Sequence, residues 1–131
     1  MPSPSARDLL IARGVRCTPP RIAIARLLLE GPPRHVTAEQ LHDELARSGH
    51  PVALATVYNT LHHLCAAGLL APLHVERGRS WFDTDPRPHH HLLHEDTGEI
   101  TDIPLLDLPL PRLPEGTELV RADLIVRVRG R

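Results

Sequence analysis

Three histidines stand in a row at His89-His90-His91, and a fourth, His94, follows three positions on. The stretch around them reads RPHHHLLHEDTGEITDI, so the imidazoles are succeeded almost at once by the carboxylates of Glu95 and Asp96. Imidazole and carboxylate donors together suit Zn(II), Fe(II) or Mn(II). An imidazole alone can be an axial ligand to haem, and a cluster of such rings can respond to pH. A solvated histidine run at a domain boundary is the plain alternative, because compositional runs carry little specificity. Hydrolytic chemistry lacks its other parts. There is no His-Glu-x-x-His, no glycine-rich phosphate loop and no nucleophile flanked by a base, so a metalloenzyme built on these histidines would want a companion base. Cys17 and Cys65 lie far apart with no Cys-x-x-Cys, which offers neither a thiolate zinc site nor a disulfide framework.

The histidines have to be held by something, and the elements before them are helical. Residues 5–13 (SARDLLIAR) predict a short amphipathic helix stopped by Gly14. Thr18 caps a second helix with Pro19 at its first position, where a missing N–H costs nothing. That helix places Ile22, Ala25, Leu28 and Leu29 on one face and ends at Gly31-Pro32-Pro33. Thr37-Ala38-Glu39-Gln40 is a capping box that opens a third helix with Leu41 and Leu45 inward. A fourth runs from about Ala53 to Ala67, its apolar stripe being Leu54, Val57, Leu61 and Leu64, with Thr56, Asn59, His62 and His63 on other faces. After Gly68 the stretch LLAPLHVERGRSWFD predicts a hairpin that turns at Arg77-Gly78. Helices followed by such a hairpin give the layout of a winged helix-turn-helix. The helix carrying Thr56, Tyr58 and Asn59 would enter the major groove, and Arg77 and Arg79 at the wing tip would meet phosphate. Ordinary bundle packing of that helix stays open as the alternative.

Asp85-Pro86-Arg87-Pro88 marks a linker. Beyond it HHLLHE and EITDI predict two strands joined at Asp96-Thr97-Gly98, and TELVRADLIVRVRGR predicts a long final strand in which Leu119, Leu124, Val126 and Val128 largely alternate with polar residues. Three strands make a poor free-standing core, so this part is expected to pair with a copy of itself. The net charge of −1 hides an asymmetry: residues 1–34 carry six Arg against Asp8 and Glu30, a local +4, whereas residues 89–131 sum to −3. A basic end on a nearly neutral chain fits a polyanion partner for that end alone, or a solvated helix face. With no apolar run of membrane-spanning length and no cationic leader, a cytoplasmic protein without a membrane partner is expected.

HVTAEQLHDEL, ALATVYNTLHHLCAAGLL, the wing ending in WFD and HHHLLHEDTGEITDI follow one another in an order that resembles the ferric uptake regulator family, from about Gly14 to the C-terminus. Within it, ATVYNTL with Asn59, FDT, the uninterrupted histidine triplet and the final DLIVRVRGR look like the iron response regulator branch. The resemblance implies an α+β fold: a winged helix-turn-helix over 1–84, a linker over 85–88, and a small α/β dimerisation and ligand-sensing domain over 89–131. It implies a homodimer that binds DNA at an A/T-rich inverted repeat and controls transcription in iron or haem homeostasis. Carried over by position, the regulatory metal ligands are His35, Asp83, His89 and His91, and His89, His90 and His91 are candidates for haem. Arg16 and Arg21 fall where the family meets backbone phosphate, beside the groove readers Thr56, Tyr58 and Asn59 and the wing residue Arg77. His94-Glu95-Asp96-Thr97 stands where most members carry Cys-x-x-Cys, so a four-thiolate structural zinc is not expected. Direct corepression by Fe(II), Mn(II) or Zn(II) remains the alternative to haem, since imidazole serves both.

Overall fold

The computed structural model describes residues 4–76, 79–87, 89–104, 109, 111–120, 122 and 124–131, without the side chains of 74–76 and 79. The chain divides into two compact units, Met1–Pro86 and Arg87–Arg131, with the boundary inside the 85–88 segment.

In the first unit, helices α1 (Ala6–Ala12), α2 (Pro19–Leu29), α3 (Ala38–Arg47) and α4 (Leu54–Ala66) are joined by strands β1 (His35–Thr37), β2 (Ala71–Glu76) and β3 (Arg79–Asp83). The first three helices begin where a hydroxyl can satisfy an orphan amide. Ser5 accepts from the Asp8 N–H, Thr18 from the Arg21 N–H, and Thr37 from the Gln40 N–H while the Gln40 side chain accepts from the Thr37 N–H. The core is aliphatic, as three aromatic residues in the chain require. Leu10, Ile24, Leu28, Leu41, Leu45, Leu61 and Leu64 are sealed from water together with Val36, Val57 and Phe82. Each such side chain contributes roughly 1.5–3 kcal/mol of burial free energy before conformational entropy is charged against it.

Two expectations for this unit need correction. Leu54 does not belong to the buried stripe of α4: it is 38% exposed, and Thr60 is buried beside Val57, Leu61 and Leu64 instead. Leu54 is the first residue of the helix, where the core no longer reaches. Likewise Ile24 lies in the fully buried row of α2, while Ile22 and Leu29 are half-buried. The strand β1 was not anticipated at all. It pairs antiparallel with β3, giving a sheet of order β1-β3-β2 in which His35 faces Asp83, Val36 faces Phe82 and Thr37 faces Trp81. The β2–β3 hairpin has a register shift between Leu73 and Glu76. Its tip, Arg77-Gly78, lies outside the described residues.

The second unit is a sheet of β4 (His90–His94), β5 (Ile100–Ile103) and β6 (Ile125–Val128) in the order β5-β4-β6, antiparallel on one side of β4 and parallel on the other. Gly98, at φ +76°, supplies the left-handed residue that the β4–β5 turn needs. The long final strand is corrected to four residues. Leu119 and Val120 lie in no strand, and they are 46% and 91% exposed. Alternation marks Leu119 and Leu124 as possible strand residues, but only Ile125–Val128 pair with β4.

Candidate metal centre and nucleic-acid interface

Each unit holds a histidine facing an aspartate across a strand pair. In the first unit the β1–β3 register sets His35 directly opposite Asp83, which places two side chains on the same face of the sheet. Asp83 is 2% exposed. Its Oδ1 accepts the Asp85 N–H at 2.9 Å, and its Oδ2 lies 3.3 Å from His35 Nε2. Beyond the pair, Thr84 donates its N–H to the Arg34 carbonyl at 3.0 Å and accepts the Arg34 N–H at 2.8 Å. These bonds carry the pairing one residue further and fix the direction from which His35 and Asp83 project.

In the second unit the β4–β5 register sets His91 opposite Asp102, and His89 lies two residues before His91 on the same side. The His89 and His91 rings are 4.5 Å apart, and their Nε2 atoms lie 3.0 and 3.7 Å from Asp102 Oδ1. The ligating atoms of His89, His91 and Asp102 all fall within 4.8 Å of one another. The His89 Nδ1–H donates to the Arg87 carbonyl at 2.6 Å. A carbonyl can only accept, so Nδ1 carries a proton and Nε2 is the ring atom that faces Asp102, the outer-shell arrangement that metal-ligating histidines commonly have. His91 is 2% exposed, so a sheet face that would ordinarily carry an apolar residue carries an imidazole.

The triplet is therefore two things. His90 projects from the other face of β4, is 4% exposed, and accepts the Leu124 N–H on Nδ1 at 3.2 Å. His94 stands near Thr101, with Nε2 3.4 Å from its hydroxyl. Neither converges with His89 and His91. Glu95 and Asp96 do not turn toward the imidazoles. Glu95 accepts from Arg127 at 2.7 Å and Asp96 accepts the Gly130 N–H at 2.6 Å, which pins the end of the chain to the β4–β5 turn. Cys65 is half-buried on α4, and burial pushes its thiol up to about 11, which marks it as packing and not as a ligand or nucleophile.

Asp102 was not anticipated from the sequence, because the expected turn was one residue too short. The expected turn at Asp96-Thr97-Gly98 sets His91 opposite Ile103; the turn actually spans residues 95–98, and that one-residue difference in register brings Asp102 opposite His91. The β1–β3 contact had no local signal at all, because the two strands are more than forty residues apart and β1 has only three residues.

Among the groove-reading candidates, Thr56, Tyr58 and Asn59 all lie on α4, Asn59 exposed and the other two half-buried. Tyr58 donates its hydroxyl to Glu39 Oε1 at 2.6 Å, and this hydrogen bond to a carboxylate raises the phenol above its ordinary value. Arg16 is exposed ahead of α2. Arg21 in the first turn of α2 donates to the Arg16 carbonyl at 3.3 Å and to His63 Nδ1 at 2.7 Å, so the guanidinium spans from α2 to α4. Arg77 lies outside the described residues.

A helix-turn-helix with a wing, followed by a separate sheet bearing an imidazole–carboxylate cluster, defines a class: the metal-responsive winged-helix transcription regulator. The ferric uptake regulator family model matches residues 12–109. The ferric uptake regulation protein of Pseudomonas aeruginosa is 33% identical over 123 residues, covering 88% of this chain and 90% of that protein. That of Vibrio anguillarum is 36% identical over 90 residues, covering 68% of this chain and 60% of its own length. The fold superposes on the structure of the P. aeruginosa ferric uptake regulator with manganese at a TM-score of 0.72, with 29% identity over 96% of this chain and 98% of that one. A zinc-bound manganese uptake regulator superposes at 0.71, with 26% identity over 98% and 100%. The chain belongs to the ferric uptake regulator family, and it is a regulator, not an enzyme.

Proposed function

We propose that this protein is a homodimeric repressor in iron homeostasis, whose grip on an A/T-rich inverted repeat is set by a divalent ion at the histidine cluster. The observation that carries this reading is the convergence of His89 Nε2, His91 Nε2 and a carboxylate oxygen of Asp102, with the His89 tautomer set by the Arg87 carbonyl. Two imidazoles and a carboxylate suit Fe(II), Mn(II) and Zn(II), and proteins of this family have been solved with manganese and with zinc. His35 and Asp83 are assigned to the same ion by the sequence resemblance. They bring the same donor types, already oriented by the strand pair and by the Asp85 N–H. What the ion supplies is charge and a coordination geometry; the residues supply orientation and burial.

DNA contact rests on α4. Thr56, Tyr58 and Asn59 offer a methyl, a ring edge and an amide to base edges, Arg16 and Arg21 offer charge to phosphate, and Arg77 is the wing's candidate. Dimerisation rests on the second unit, whose Leu119 and Val120 are exposed and whose three strands have few buried apolar residues of their own. No helix among the described residues is long and apolar enough to cross a membrane, in keeping with the cytoplasmic setting expected of a DNA-binding regulator.

Haem control is the second reading. It rests on the likeness of ATVYNTL, the histidine triplet and DLIVRVRGR to the iron response regulator branch, with His89, His90 and His91 as candidate axial ligands. The small-ion reading is favoured because His89 and His91 point their Nε2 atoms at one carboxylate, whereas His90 projects from the opposite face. Fluorescence anisotropy on a labelled A/T-rich inverted repeat separates the two. It would be run at one fixed salt concentration with protein that is metal-stripped, loaded with Mn(II) or Fe(II), or given haem. Binding that requires the divalent ion and is lost in Asp102→Ala supports direct sensing. Binding by the metal-free protein that haem reverses supports the haem reading instead.

A further inference from the structure

The single tyrosine of the chain sits on the helix assigned to the major groove, yet its hydroxyl is already engaged inside the protein. Glu39 is the second residue of α3, in the first turn, where the helix dipole favours a carboxylate and the capping box at Thr37 holds the backbone in place. From there it reaches α4 and accepts the Tyr58 O–H at 2.6 Å. The ring is flanked from its own helix by His62, 6.4 Å away and tilted by 44°, and His62 in turn stands 6.3 Å from Phe82. Tyr58 and Glu39 together line a polar hollow of about 420 Å³ with Thr37, Asp43 and Trp81. Glu39 itself is exposed, so it belongs to the surface that would meet a ligand and not to the core.

A tyrosine can meet DNA in two ways. Its hydroxyl can donate to a phosphate, which adds affinity without sequence information, or its ring can lie against base edges such as the thymine methyl, which reads sequence. A phenol has one proton to donate, and here an anion of the protein accepts it. The same carboxylate repels phosphate and accepts from exocyclic amino groups of bases.

We propose that Glu39 is a specificity-determining positioning residue for DNA: by accepting the Tyr58 hydrogen bond it presents Tyr58 to the groove as a ring edge and withholds it from phosphate. This rests on the reading of α4 as the groove helix. Removing Glu39 therefore makes the protein a less selective binder and not simply a weaker one. The freed hydroxyl turns to phosphate.

The test uses the full-length protein loaded with Mn(II). Wild type is first selected against a random duplex pool, and its enriched duplex and a scrambled duplex then serve as probes for anisotropy at one fixed salt concentration. Glu39→Ala is expected to lower the ratio of specific to scrambled affinity roughly fivefold or more, with the scrambled duplex bound more tightly than by wild type. Tyr58→Phe is expected to lower the ratio as well, and the double variant is expected to be no worse than the worse single one, because the two residues act as a unit. Phenolate absorbance reports the contact without DNA, since there is one tyrosine to titrate. Glu39→Gln, which keeps the shape and removes the charge, should bring the phenol down from its raised position. An unchanged affinity ratio in Glu39→Ala, independent effects of the two substitutions, or the same phenol titration in wild type and Glu39→Gln would each overturn the proposal. A wild type that enriches no sequence would sink the DNA reading itself, a failure visible before any variant is made.

Discussion

The two units solve the problem of a stable interior in opposite ways. In Met1–Pro86 a large apolar core dominates: leucines from four helices close over Val36 and Phe82, with Thr60 and Asp83 buried among the polar residues. In Arg87–Arg131 the buried apolar residues among those described are Leu93 and Ile100, and beside them are buried His90 and His91. Apolar burial stabilises whatever the solution contains. A buried imidazole is desolvated at a cost that a ligand or hydrogen bond must offset. Apolar burial therefore dominates the first unit, while in the second the buried positions among those described are shared between two apolar residues and two imidazoles.

The comparison can be broken at several strengths. The largest effect is expected in the first unit. Leu61→Ala should cost about 2–5 kcal/mol, read from the urea midpoint, because it leaves a cavity in a closed core. Leu54→Ala, on the same helix but 38% exposed, should stay within about 0.5 kcal/mol. Equal losses at the two sites would contradict the described face of α4. Next comes the ion. Mn(II) at about a hundred times its dissociation constant should stabilise the holding unit by about 2.7 kcal/mol. Hydrogen exchange should show the gain in the amides of β4 and β5, with the core amides of α2 and α4 little changed. Protection rising equally in both sets would erase the distinction between the units. The smallest effect is expected of Arg127→Ala, which removes the 2.7 Å pair with Glu95. Both side chains are about half exposed, so the loss should be no more than about 1 kcal/mol and should shrink with added salt. A larger, salt-insensitive loss would show that the acidic turn clamps β6 more firmly than a surface pair can.

Much of the first unit was legible because its signals are local. Ser5, Thr18-Pro19 and Thr37-Gln40 each announce a helix start within four residues, and Gly98 announces the β4–β5 turn in the same way. The failures fell where the deciding contact is distant. Leu54 fits the helical period, yet only packing by other elements determines whether a face is covered at its end. The final strand was overextended because alternation marks what can be a strand, while pairing partners decide what is one.

The candidate site divides along the same line. By itself the sequence determined the donor chemistry, imidazole with carboxylate and no thiolate cluster, along with the caps, the helices, the hairpin and the place of the histidine triplet. The tertiary structure alone decided which donors meet. The β1–β3 register sets His35 against Asp83, the β4–β5 register adds Asp102 to His91 and His89 while sending His90 to the other face, and the approach of α3 to α4 ties Tyr58 to Glu39. Residue type and cap chemistry act over a few covalent bonds, so they can be read along the chain. Strand register and helix packing are settled by burial among residues far apart in sequence, and a shift of one residue would turn every one of these donors to the wrong side.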